Sequence, residues 1–183
     1  IKNVKQYKDY SQFDLKIRLP NKKDQIIKKF KIPLLGNHNI KNSVAAIAVS
    51  LTVGLPVLNI KKGLKNFKGV QRRFNKIFTF NKVDFYDDYA HHPTEIESVL
   101  NTIQTNFKNK STAVVFQPHL FSRTRDFMDE FAIVLSKFDE VYLLDIYPAR
   151  EKPIVGVSSR ILLEKINCSK RGLIDNKSIE NII

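Results

Sequence analysis

Apolar and charged residues alternate with period two from Phe13 to Leu19, which predicts a strand with one face buried. Pro20-Asn21 predicts a turn, and Ile26 to Ile32 a second strand closed by Pro33. Beyond Gly36 the pattern changes to the Ala-rich run from Asn42 to Leu51. It predicts a helix that starts between Asn39 and Ser43, stops at Gly54 and Pro56, and packs closely through its small residues. A second helix is expected over Val57 to Phe67. From Arg72 the rhythm differs. Phe74 to Phe80 and Val83 to Tyr86 predict a hairpin turning at Asn81-Lys82. Thr94 to Phe107 predicts a helix with Ile96, Val99, Leu100 and Ile103 on one face. A buried strand at Ala113–Phe116, a helix over Arg125 to Lys137, a strand at Val141–Leu144 and a helix over Ser159 to Ile166 follow, and Ser178 to Ile183 reads as the start of another helix. Strands alternating with helices of about 10–15 residues predict an α/β fold built on a parallel sheet with crossover helices. A domain boundary is expected near Lys68 to Gln71, and there are no internal repeats.

Composition narrows the class. A chain of 183 residues holds one good core, or a full domain plus part of a second. Its hydrophobic share of 43% and aromatic share of 10% are those of a folded protein. No apolar run approaches the roughly 20 residues needed to cross a bilayer, so membrane insertion is not expected. The start, Ile1-Lys2-Asn3-Val4, has neither an initiator Met nor a signal-peptide layout and reads as a cut inside a longer protein, and the C-terminus reads the same way. The single cysteine, Cys168, permits no intrachain disulfide and fits a cytoplasmic location. The formal charge of +13 suits nucleic acid, anionic lipid or phosphorylated small molecules. Against a nucleic-acid partner, Lys and Arg are spread along the chain, as at Lys28-Lys29, Lys61-Lys62 and Lys108 to Lys110, without interleaved aromatic residues. The accompanying wealth of Asn and Ile is what an AT-biased genome writes on a solvated surface.

In a parallel α/β sheet, ligands sit at the carboxyl ends of the strands. The unusual polar residues fall at those ends. Val83–Tyr86 runs into Asp87-Asp88-Tyr89-Ala90-His91-His92-Pro93-Thr94-Glu95, Ala113–Phe116 into Gln117-Pro118-His119-Leu120-Phe121-Ser122-Arg123, and Val141–Leu144 into Asp145-Ile146-Tyr147-Pro148-Ala149-Arg150-Glu151. Three successive loops are thus expected to present acids, histidines and arginines to one rim. Each element also has a plainer reading. Asp87-Asp88 is ordinary turn chemistry before a helix. His91, His92 and His119 are possible metal ligands, although adjacent histidines point apart and no metal-site spacing accompanies them. Arg123 and Arg125 suit either solvent or an anion. In the front part, Gly36-Asn37-His38-Asn39-Ile40-Lys41-Asn42 places polar groups at a helix start, where they bind a base or phosphate, or merely cap the helix through Asn39 or Asn42. No nucleophile elbow is present.

Five segments in order, GNHNIKNSVAAIAV, GVQRRF, DDYAHHPTEI, FQPHLFSRTRDF and DIYPAREKPIVGVSS, resemble the muramyl ligases, the amino-acid ligases of peptidoglycan synthesis. DDYAHHP followed by FQPH resembles the members that add L-alanine to UDP-N-acetylmuramate more than those that recycle murein peptide. The resemblance implies the tail of an α/β ATP-binding central domain over residues 1–69. It implies a Rossmann-like, mainly parallel C-terminal domain over residues 70–183. It also implies an ATP- and Mg²⁺-dependent reaction through an acyl phosphate, with the Mg²⁺ ligands mostly outside this chain. His38, Asn39 and Asn42 match the adenine side of the ATP site, Arg73 the phosphate side, and Asp88 the acid brought to the nucleotide on closure. Tyr89, His91, His119 and Arg123 match positions lining the muramate and alanine side. Asp88, His91, His119 and Arg123 are the expected catalytic group. Leu120 departs from the pattern, since many members carry a basic residue there. None of the six glycines lies in a phosphate loop, so this stretch is not expected to turn over by itself. The remaining alternative is a basic α/β module that binds nucleotides or nucleic acid without chemistry.

Overall fold

The computed structural model describes residues 1–18 and 23–175, so the Pro20-Asn21 turn, Leu19 and the expected helix start at Ser178 to Ile183 lie outside the described residues. The chain forms two compact units, one of residues 1–88 with 101–108 and one of residues 89–100 with 109–183.

The first unit opens with β1 (Lys2–Gln6), β2 (Ser11–Ile17) and β3 (Gln25–Ile32), an antiparallel sheet in the order β1-β2-β3. The period-two pattern is realised: Phe13, Leu15, Phe30 and Ile32 are buried on one face, with the Phe13 and Phe30 rings stacked at 5.7 Å. Helix α1 (Asn37–Thr52) and helix α2 (Val57–Asn66) complete this core through Ile40, Ile47 and Ile60. Asp14 organises an irregularity in the sheet. Its carboxylate accepts hydrogen bonds from the Asn3 amide at 2.8 Å and from the Lys29 backbone N–H at 2.8 Å, beside the register shifts in both neighbouring strands. The hairpin β4 (Asn75–Phe80) and β5 (Val83–Asp87) turns where expected, at Asn81 and Lys82, both with positive φ. Phe74 stacks on Tyr86 at 4.5 Å, and the Phe107 ring meets both.

The second unit carries β6 (Ala113–Phe116), β7 (Glu140–Leu143) and β8 (Lys170–Leu173), a parallel sheet in the order β6-β7-β8. Its core joins Phe116, Val141 and Leu143 to Phe131, Leu135, Leu162 and Ile166. The mainly parallel α/β architecture is as expected, with two corrections. First, the helix expected over Arg125 to Lys137 is two helices, α4 (Phe121–Asp126) and α5 (Met128–Leu135), broken at Phe127, whose φ of −119° is not helical and whose ring meets His92 at 4.5 Å. Second, among the described residues β5 pairs only with β4 in a two-stranded sheet, so it is not a third strand beside β6 and β7. Helix α3 (Pro93–Asn106) starts with proline at its first position, where no N–H is required, and buries Ile96 and Leu100. Helix α6 (Ser159–Lys165) is capped by the Ser158 hydroxyl, which accepts from the Ile161 N–H at 3.2 Å. Strands β1 and β8 carry no clear alternation and were not expected.

Candidate functional site

The carboxyl ends of β6 and β7 are stitched together one step beyond the strands. His119 bridges Tyr147 in parallel, with Leu120 N–H donating to the Tyr147 carbonyl at 3.0 Å and Tyr147 N–H donating to the Pro118 carbonyl at 2.8 Å. Leu120 takes φ +74° at the start of α4, a region unfavourable to a side chain, and beyond this bend Arg123 comes back beside His119, four residues before it. The His119 ring stacks on Tyr147 at 5.5 Å and lies 6.2 Å from the His91 ring, which in turn meets Tyr89 at 5.1 Å. Tyr89, His91, His119 and Arg123 are therefore brought together within the second unit.

Hydrogen bonds settle where the protons of this cluster sit. Arg123 Nη1 can only donate, and it lies 3.3 Å from His119 Nδ1, so Nδ1 accepts and a neutral His119 carries its proton on Nε2. Burial first, then the charges of Arg123 and His91, push the His119 pKa below its ordinary value, so the imidazole is neutral near pH 7. His91 is set the other way. Its Nδ1 is 2.9 Å from the Tyr89 carbonyl, which can only accept, and 3.3 Å from Glu95 Oε2. Its Nε2 is therefore an acceptor in the neutral ring. The cluster offers an N–H donor, a guanidinium and a lone pair side by side, a combination suited to a carboxylate or phosphate next to an amine.

Three supporting residues were not singled out from the sequence. Glu95 accepts the His91 backbone N–H at 2.9 Å, Tyr147 backs His119, and Glu151 accepts from the Ser122 N–H at 2.9 Å and hydroxyl at 2.5 Å. Glu95 is legible as an i+4 partner on the helix start. Nothing in the spacing joins Ser122 to Glu151, 29 residues apart.

A second group forms in the first unit. Asp88 accepts the Phe74 backbone N–H at 2.7 Å, and His38 has its pKa lowered chiefly by burial, with Asp88 opposing and Arg73 adding to the shift. His38, Arg73 and Asp88 thus share one electrostatic neighbourhood. Asn39 does not cap α1: it is buried, and its amide donates to the Leu35 carbonyl at 2.8 Å. Asn42 lies exposed within the helix. The helix starts at Asn37 behind Gly36, which takes φ +92° and lies so close to its neighbours that a Cβ would fall 2.5 Å from Thr102 Oγ1 and 2.8 Å from His38 Cε1. Gly36→Ala is therefore expected to cost about 1–3 kcal/mol of stability through backbone strain and to displace His38. Chemical denaturation checks the first effect and the His38 imidazole NMR shift the second.

Both depressed histidines link stability to pH. The unfolded chain binds protons at about the ordinary value of 6.5, while the folded chain resists them, so stability is full above that pH and declines as pH falls below it toward the lowered folded values. Asp24, held near 2 by Arg18 and Lys16, acts in a separate window below its ordinary value of 3.8. The unfolding midpoint is expected to drop on acidification through pH 6.5, and His38→Gln with His119→Gln to flatten that drop. An unchanged slope in the double variant refutes the assignment.

Among the described residues no group of three His, Cys, Asp or Glu side chains comes together to hold a metal ion. No described helix is long and apolar enough to cross a membrane.

Parallel α/β sheets bind ligands outside the carboxyl ends of their strands, which is where the His119 and Tyr147 loops lie. Residues 72–182 match the family described as Mur ligase, glutamate ligase domain, and the chain belongs to the Mur ligase family. It is 58% identical over 156 residues to UDP-N-acetylmuramate–L-alanine ligase of Pelagibacter ubique, covering 85% of this chain and 34% of that protein. It is 46% identical over 171 residues to the ligase of the same name from Christiangramia forsetii, covering 93% and 37%. The crystal structure of UDP-N-acetylmuramate-alanine ligase MurC from Thermotoga maritima shares the fold, with a TM-score of 0.71 at 24% identity over 96% of this chain and 37% of that one. The chain thus spans about a third of the length of these relatives.

Proposed function

We propose that this chain is the closing part of an ATP-dependent ligase that joins L-alanine to UDP-N-acetylmuramate in the cytoplasm. The observation that carries this reading is the Tyr89–His91–His119–Arg123 cluster, with its fixed tautomers, in a chain 58% identical to a relative bearing that ligase name. In this reading residues 1–69 end the ATP-binding central domain and residues 70–183 form most of the C-terminal domain. The γ-phosphoryl group of ATP passes to the muramate carboxylate and ADP leaves. The alanine amine then attacks the acyl carbon, phosphate departs, and an amide remains. Arg123 and the His119 Nε2–H stabilise the charge that builds on the acyl and phosphoryl oxygens, and the His91 Nε2 lone pair faces the amine. His38, Asn39, Asn42, Arg73 and Asp88 serve the nucleotide, and Mg²⁺ takes its ligands mainly from the rest of the ligase.

The test has two arms. Residues 1–183 alone are expected to release no phosphate from ATP with UDP-N-acetylmuramate and L-alanine, because no phosphate loop is among them. The full-length ligase carrying Asp88→Ala is expected to lose roughly 10²-fold or more in alanine-dependent phosphate release, the scale of a lost electrostatic contact in the transition state. Turnover by the isolated chain, or wild-type rates in the Asp88 variant, refutes the corresponding part.

A further inference from the structure

Residues 1–70 hold 15 Lys and Arg against three Asp and no Glu, whereas residues 71–183 hold 16 against 15 acids. Nearly all of the net charge of +13 therefore sits in the first 70 residues. The front holds 15 basic residues in 70 positions against 16 in the remaining 113, and it is nearly without acids. A codon bias toward Lys, Asn and Ile acts on both stretches alike and does not deplete acids from one of them.

The sheet β1-β2-β3 sorts these charges onto one side. Cross-strand partners share a face, so Lys5, Gln12 and Lys31 stand together, as do Lys2 with Asp14 and Lys16 with Ile26. Phe13, Leu15, Phe30 and Ile32 occupy the opposite face and form the core with α1 and α2. Lys2, Lys5, Lys16 and Lys31 are exposed. The acid on their face, Asp14, is buried and already engaged by Asn3 and the Lys29 N–H, and Asp24 at the strand end is held by Lys16 and Arg18. Lys31 lies over the Tyr10 ring at 4.9 Å, Tyr10 stacks on Tyr7 at 4.4 Å, and Ile1, Val4 and Ile26 are about half exposed in the same three-stranded region.

We propose that this lysine-bearing face of the β1-β2-β3 sheet docks the chain on an anionic lipid bilayer surface. Of the 15 basic residues, 14 are lysines, and Arg18 is the sole guanidinium. Lysines act as hydrated point charges suited to a diffuse headgroup layer, whereas reading base edges or clamping single phosphates favours the planar arginine fork. The tyrosine rings are spent on each other and on Lys31, which leaves them poorly placed to stack bases. The half-exposed aliphatic side chains Ile1, Val4 and Ile26 among these lysines match the boundary between headgroups and acyl chains.

The experiment is co-sedimentation of the whole chain with phosphatidylcholine vesicles, with and without phosphatidylglycerol. Binding is expected only with phosphatidylglycerol and is expected to weaken as salt shortens the screening length. A triple variant, Lys2→Gln, Lys5→Gln and Lys31→Gln, is expected to bind roughly a hundred-fold more weakly, at about five-fold per lysine near the surface. A control triple, Lys108→Gln, Lys110→Gln and Lys152→Gln, removes the same net charge from exposed positions elsewhere and is expected to bind like the wild type. Three results overturn the proposal: no preference for phosphatidylglycerol, equal losses in both triples, or displacement from vesicles by single-stranded DNA whose own binding the first triple abolishes. All six substitutions are at exposed lysines, and matching unfolding midpoints show that both triples are folded.

Discussion

His119→Ala in the full-length ligase is expected to cut alanine-dependent phosphate release by roughly 10²–10³-fold, the range found when one donor to a developing negative charge is removed. Two losses coincide. The Nε2–H donor disappears, and Arg123 Nη1 loses the Nδ1 acceptor at 3.3 Å, keeping only the His119 backbone carbonyl at 3.4 Å, so the guanidinium is held less firmly. Arg123→Lys separates them: it keeps a positive charge but not the planar fork, and its loss is expected to be smaller than that of Arg123→Ala. A pH profile adds a readout that a purely structural role does not move. Because burial and Arg123 depress the His119 pKa, its protonation is expected to shape kcat/KM only below 6.5, and Arg123→Ala is expected to shift that limb upward by removing a repelling charge. A limb that stays in place in the Arg123 variant removes the coupling on which this site assignment rests.

Phe131→Ala is expected to lower the stability of the second unit by about 3–5 kcal/mol, a large part of what a small domain has. Phe131 is fully buried and its ring lies 5.4 Å from that of Phe116, the last residue of β6. Removing it opens a cavity at the base of the strand that leads into the His119 loop. Ile133, two residues on along the same helix, is 63% exposed, and Ile133→Ala is expected to change stability by no more than about 0.5 kcal/mol. Urea denaturation followed by circular dichroism, with amide exchange in β6 and β7, distinguishes the two. Equal effects from the two variants show that α5 does not pack as described.

Elements whose pattern reflects their own burial were legible. Helix α3 was placed within one residue at each end because Ile96, Val99, Leu100 and Ile103 recur at helical spacing, and Ile96 and Leu100 are buried. The β4–β5 turn was legible because Asn81 and Lys82 interrupt two apolar runs. The break at Phe127 was not, because nothing within the run from Arg125 to Lys137 marks it, and the Phe127 ring meets His92 from a distant segment. Nor was the restriction of β5 to a two-stranded hairpin, since strand pairing is a choice among edges that no single strand encodes.

The same division runs through the site. By itself the chain of residues determined the candidate chemistry: histidines, an arginine and acids concentrated in loops that follow strands, and the motifs that mark a Mur ligase. It also determined the excess of lysine over acid in the first 70 residues. Only the tertiary structure decided which side chains meet and in what state. The contact of Arg123 with His119 fixes a tautomer, the Tyr147 backing and Glu151 anchor come from a loop some 29 residues away, and the sheet register turns scattered lysines into one face. The physical reason is range. Periodicity and turn chemistry are local, whereas proton placement, pKa shifts and surface charge depend on distances across the fold, over which the order of residues has no direct say.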